Sequence, residues 1–104
     1  MALPPLTPEQ RAAALEKAAA ARRTRAELRD QLKHSKISLA EVFEAGERDE
    51  AIGKMRVSAV LESMPGVGKI RAERIMERLS ISISRRVRGL GAHQRSALER
   101  EFAD

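Results

Sequence analysis

Cysteine is absent from this chain of 104 residues, which excludes a disulfide framework, a thiolate metal site and a thiol nucleophile. Tyrosine and tryptophan are absent as well, and two phenylalanines are the only aromatic residues. That disfavours modules that read single-stranded RNA by stacking bases on aromatic platforms. No apolar run approaches the ~18 residues of a membrane span. The opening Met-Ala-Leu-Pro-Pro has neither the basic nor the apolar region of a secretory signal, so the expected compartment is the reducing cytosol. Strand formers are scarce, while alanine and charged residues dominate. The expected fold is all-α, in one domain with one modest core.

The net charge is +5, and its distribution is informative. Residues 1–33 carry +3, residues 34–53 carry −3, residues 54–90 carry +6, and residues 91–104 carry −1. A basic segment of this kind attracts polyanions, chiefly nucleic acid. Thr7-Pro8-Glu9-Gln10 reads as a capping box with proline at the first helical position, and nothing breaks the helix before about Lys33. At roughly 100° per residue, Arg11, Arg22, Arg25 and Arg29 share a face about 60° wide, opposite Glu16, Glu27 and Asp30. The N-terminal half of this helix has little to bury and is expected to protrude.

Ser38-Leu39-Ala40-Glu41 is a second capping box, opening a helix that Gly46 is expected to end. Glu47–Glu50 reads as a loop or short helix. Val57, Val60, Leu61 and Met64 carry the i, i+3, i+4, i+7 pattern of a third helix, and Ala72, Ile75, Met76 and Leu79 repeat it in a fourth. The outer face of that fourth helix carries Arg71, Arg74 and Arg78. Ser80–Ser84 reads as an extended connector, Gly89 and Gly91 bracket a turn, and a last helix carries Ala97, Leu98 and Phe102.

Between the third and fourth helices lies Pro65-Gly66-Val67-Gly68-Lys69, which looks like a helix–hairpin–helix. Two glycines allow a tight turn and leave the backbone uncovered. A phosphate can then approach the amides of Gly66, Val67, Gly68 and Lys69 at a helix N-terminus. Val67 is expected to anchor the turn inward, Ala72 to sit where the helices cross, and Lys69 to add a charge. Such a site reads phosphate position, not base identity. A P-loop is excluded because it needs glycine at position 63 and Ser or Thr at 70, which hold Ser63 and Ile70. A dinucleotide fingerprint would need glycine at 71, which is Arg71. A second basic group, Arg85-Arg86-Val87-Arg88, is expected to make another phosphate or minor-groove contact.

Catalytic chemistry is missing from the pattern. His34 reads as a surface residue at a helix end and His93 as part of the last helix's first turn, far apart and without paired ligands. No serine has a His and Asp partner that the sequence places beside it. A hairpin glycosylase would want an aspartate about 20 residues past the hairpin, and residues 79–103 hold none.

The run Pro65–Ala72, followed by Arg86-Val87-Arg88-Gly89-Leu90, resembles the helix–two-turns–helix module of a ribosomal small-subunit protein and of some DNA repair glycosylases. With the Ala/Arg-rich first helix, Leu39-Ala40-Glu41-Val42-Phe43 and Leu98-Glu99-Arg100-Glu101-Phe102, nearly the whole chain resembles the actinobacterial, mycobacterial-type integration host factors. The resemblance implies a monomeric, nucleoid-associated cytoplasmic protein, unrelated in fold to the β-armed heterodimer of the same name. It implies an architectural protein that bends or compacts duplex DNA; the phosphate-reading hairpin adds the expectation of low sequence specificity, and no cofactor is expected. It further implies support of phage site-specific integration, with integrase complexes at recombination sites as partners. The alternative is an RNA-binding, ribosome-associated protein using the same module. The expected organisation is a partly protruding helix over 1–35 and a helical DNA-binding domain over 36–104, with its hairpin at 64–69. The expected DNA-binding residues are Pro65, Gly66, Val67, Gly68, Lys69, Arg71, Arg74, Arg85, Arg86, Arg88, Arg22 and Arg25. They fall into three groups along the chain: the hairpin with its following helix, the 85–88 cluster, and the stripe on the first helix.

Overall fold

The computed structural model describes residues 4–103, so Met1–Leu3 of the N-terminal segment read above, and Asp104, lie outside the described residues. Helix α1 spans Pro8–Lys33. The Thr7 hydroxyl accepts the Gln10 amide at 3.1 Å, and the Gln10 side chain accepts the Thr7 amide at 3.0 Å. Both expected capping contacts are therefore made. Only Leu28 and Leu32 of α1 are buried. Ala19, Ala21, Thr24 and Arg25 are half-buried, whereas Leu6 and Leu15 are exposed. The C-terminal half of α1 thus belongs to the core, and the N-terminal turns stand away from it. A compact chain of this length has a radius of gyration near 13 Å. The observed 15.9 Å, with extents of 50 × 33 × 24 Å, reflects that projecting helix.

Helix α2 spans Leu39–Arg48 and starts on the Ser38–Glu41 capping box. Gly46 does not end it, contrary to the sequence reading. It lies buried inside the helix because α3 (Glu50–Gly53) and a 3-10 turn at Val87–Gly89 press against it. A Cβ on Gly46 would fall 2.7 Å from Val87 Cγ1. The helix stops at Asp49, whose carboxylate turns to cap α3 by accepting the Ala51 amide at 2.8 Å and the Ile52 amide at 3.3 Å.

Helices α4 (Val57–Glu62) and α5 (Lys69–Arg78) pack on each other, and α6 (Ala92–Glu101) closes the domain against α2. The apolar faces converge on one core that includes Phe43, Leu61, Met76 and Leu98, each at most 2% exposed. Arg95 lies over the Phe43 ring, 5.6 Å from its centroid, and pairs with Glu47 at 2.5 Å. The Arg78–Glu101 pair, at 2.5 Å, ties α5 to α6. Its hydrogen bond holds the Glu101 carboxyl below the usual carboxylate range.

The Ser80–Ser84 connector is less extended than its alternation suggests. Ser80 takes a left-handed conformation, φ 58°, with its amide on Glu77 O, and the Ile81 amide reaches Met76 O at 2.8 Å. This closes the C-terminus of α5 and buries Ile81. The extended pairing falls further on. Val57 N–H donates to Arg85 O at 3.0 Å and Val87 N–H to Met55 O at 2.9 Å, which sets Arg56 opposite Arg86 in an antiparallel bridge.

Candidate nucleic-acid interface

The turn between α4 and α5 is shaped by three contacts. Val67 N–H donates to Met64 O at 3.1 Å, Arg71 Nη1 donates to Gly66 O at 3.1 Å, and the Val67 side chain is 6% exposed. Gly66 sits at φ +75°, where a side chain is strained, so glycine is needed there for conformation. Gly68 has φ −90° and ψ 179°, ordinary extended backbone, and a Cβ there would meet no atom within 4 Å. Glycine at 68 is therefore not a conformational need. It leaves an open approach to the backbone.

That approach leads to unpaired donors. The first bond of α5 is Ala72 N–H to Gly68 O, at 3.0 Å. The amides of Gly68, Lys69, Ile70 and Arg71 have no acceptor among the described residues. They form the anion-attracting end of a ten-residue helix, with no side chain capping it. The amide of Val67, expected to face a phosphate, is instead engaged by Met64 O because it closes the first turn. Lys69 and Arg74 are exposed around this end, with no ion pair among the described residues. Arg78 differs from its neighbours on the α5 face, because its guanidinium is held by Glu101.

The second basic group is preorganised by backbone carbonyls. Arg85 Nη1 donates to Gly89 O at 3.0 Å and Arg86 Nη1 to Lys54 O at 2.6 Å. Arg88 Nη2 donates to Gly46 O at 3.4 Å. Arg88 lies where α2 and α3 meet, and a Cβ on Gly53 would come within 2.9 Å of its Nε. Each of the three guanidinium groups thus spends one donor on a backbone carbonyl and keeps most of the others, and all three residues are exposed.

Two of the three groups separated along the chain meet in space, and the hairpin borders them. Arg25 and Arg29 of α1 line one concave cleft of about 400 Å³ with Lys54, Arg56 and Arg86. Arg29 also lines a neighbouring hollow that contains Pro65 and Gly66. Sequence reasoning missed Lys54 and Arg56. Arg56 is 30 positions from Arg86, and only the 55–57/85–87 pairing brings them together. Arg22 is exposed on α1, outside the cleft lining.

The S13-like H2TH domain family matches residues 32–102. The Integration host factor of Streptomyces coelicolor is 72% identical over 102 residues, spanning 98% of this chain and 95% of that protein. The chain belongs to the integration host factor family of actinobacteria. The Integration host factor of Mycobacterium tuberculosis is 60% identical over the same length, with 98% and 97% of the two chains covered. A solved structure of sIHF bound to an 8bp palindromic DNA superposes with a TM-score of 0.82 at 66% identity, covering 85% of this chain and 99% of that one. These relatives give the RNA-binding alternative no support. The matched domain includes the α4–α5 unit, and most of α1 lies outside it. No helix among the described residues is long and apolar enough to cross a membrane, and no three His, Cys, Asp or Glu residues among them gather as metal ligands.

Proposed function

We propose that this protein is a DNA-architectural factor that holds duplex DNA by its phosphates and bends or compacts it, with little base preference. The observation that carries the reading is the row of unpaired amides from Gly68 to Arg71, uncovered at Gly68 and flanked by Lys69 and Arg74. Pro65 and Gly66 set the turn, and Val67 anchors it from inside. Arg71 braces it through Gly66 O. Arg85, Arg86 and Arg88 supply a further contact, and Arg25 and Arg22 extend the basic surface along α1. Asymmetric phosphate neutralisation draws a duplex toward the protein. Bending a site by 40–90° costs on the order of 1–6 kcal/mol, within reach of several charge-assisted contacts at about 1.5–3 kcal/mol each. The DNA-bound relative supports duplex DNA as the partner. On this reading the protein works in the cytoplasm on the nucleoid as a monomer and serves integrase complexes at phage recombination sites, the last in keeping with the family's name.

Salt titration tests the reading. The binding constant is expected to fall by roughly 0.9 log unit per log unit of salt for each phosphate neutralised. Unrelated duplexes should bind alike, and duplex RNA and single strands should bind less tightly. A salt-independent constant, or a preference for duplex RNA, overturns it.

The same reading has the protein perform no chemistry on DNA. Lys69 is the one residue that could form a Schiff base with an abasic sugar from a hairpin position. Borohydride treatment of the protein on an abasic duplex is expected to leave no covalent adduct. A Lys69-dependent adduct would revive a repair activity.

A further inference from the structure

We infer that the cleft between α1, α3, α4 and the 85–87 segment binds a compact polyphosphate, of the class of inorganic triphosphate or the triphosphate of a nucleotide. Its site is separate from the hairpin amides. The first observation is the bridge itself. The two hydrogen bonds flank Arg56 and Arg86, so these residues form a non-hydrogen-bonded pair, the closer of the two antiparallel arrangements. Like charges directly opposite in such a pair repel. Both side chains nevertheless line the same cleft.

The second observation is that no carboxylate among the described residues pairs with either arginine. Arg25, Arg29, Lys54, Arg56 and Arg86 line the cleft and no carboxylate does. Of the five, only Lys54 has an ion pair among the described residues, with Glu50 at 2.6 Å. Arg86 is fixed by Lys54 O, which leaves its other donors unengaged. Guanidinium groups offer paired donors that match phosphate oxygens.

The third observation is shape. The cleft is concave, about 400 Å³, and its apolar surface comes from Ala51, Met55 and Ala59. A duplex spreads its charge along a convex surface, one phosphate per ~3.4 Å of axis on each strand. Five cations around one small concavity match charge gathered in a compact anion.

The test uses the full chain without DNA, at constant ionic strength, with sodium triphosphate as the probe. At ten times its Kd, triphosphate should raise the melting temperature by roughly 5–10 °C, and orthophosphate should do much less. Arg56→Met should weaken triphosphate binding by about tenfold or more, and Arg29→Met, on the exposed face of α1, serves if that variant folds poorly. Lys69→Ala should keep it, which separates this site from the hairpin. Adenosine triphosphate binding no tighter than inorganic triphosphate would mean that phosphates alone are held; tighter binding would mean that the apolar patch takes the base. If Lys69→Ala abolishes triphosphate binding and Arg56→Met does not, the anion sits at the hairpin and the proposal is wrong. If triphosphate does not bind at all, the cleft serves the duplex alone and the proposal is equally overturned.

Discussion

Gly68→Val is expected to weaken duplex binding by roughly 100-fold while leaving the fold in place. The backbone at 68 is extended, a conformation valine favours, and its Cβ would meet no atom of the protein. The cost to stability is a poorer helix cap, about 1 kcal/mol. The valine methyl groups would fill the space above the unpaired amides, and losing two charge-assisted contacts at about 1.5 kcal/mol each gives the expected factor. Fluorescence anisotropy with a short duplex, alongside a thermal melt, separates the two effects. Lys69→Ala should do less, lowering the salt slope by about 0.9. Gly66→Ala should act in the opposite sense, costing about 1–2 kcal/mol of stability because φ there is +75°. A folded Gly68→Val protein that binds like the wild type would make the hairpin a purely structural turn.

Gly53→Ala is expected to be the most damaging conservative change to the fold. A Cβ at 53 would stand 2.6 Å from Gly46 O and 2.9 Å from Arg88 Nε. The carbonyl is backbone inside a packed helix, so α2 and α3 must separate, whereas an arginine tip alone could swing away. Overpacking of this kind costs about 1–3 kcal/mol. For a domain of this size each kcal/mol lowers the melting temperature by roughly 4–8 °C. The damage should reach the basic surface, because the Val87–Gly89 turn rests on Gly46 and Arg88 is held there. Melting curves and salt-dependent DNA binding of this variant check both consequences. An unchanged melting temperature would mean that the α2–α3 contact has slack.

The residues around the hairpin were legible because their reasons are local. Capping boxes at Thr7 and Ser38 announce themselves over four residues. The apolar spacing of Val57–Met64 and Ala72–Leu79 marks the two helices whatever packs on them, and Val67 and Ala72 are buried as read. Gly46 was misjudged, and so was the turn's need of Gly68, which lies in ordinary extended backbone. A glycine in sequence is only permission, and its use depends on what stands beside it. Gly46 makes room for Val87, 41 positions away, and Gly68 leaves open space above the backbone.

The sequence by itself determined an all-helical chain, the place of the hairpin and the excess of arginine, since each follows from periodicity, caps and residue identity, and its motifs carried the resemblance to the family. Tertiary structure decided which arginines act together. Arg78 pairs with Glu101, Arg88 is drawn onto Gly46 O, and Arg25, Arg29, Lys54, Arg56 and Arg86 meet in one cleft. The physical reason is range. Helix signals are written within four residues, whereas the cleft depends on two hydrogen bonds that join segments about 30 residues apart, and no local pattern encodes that pairing.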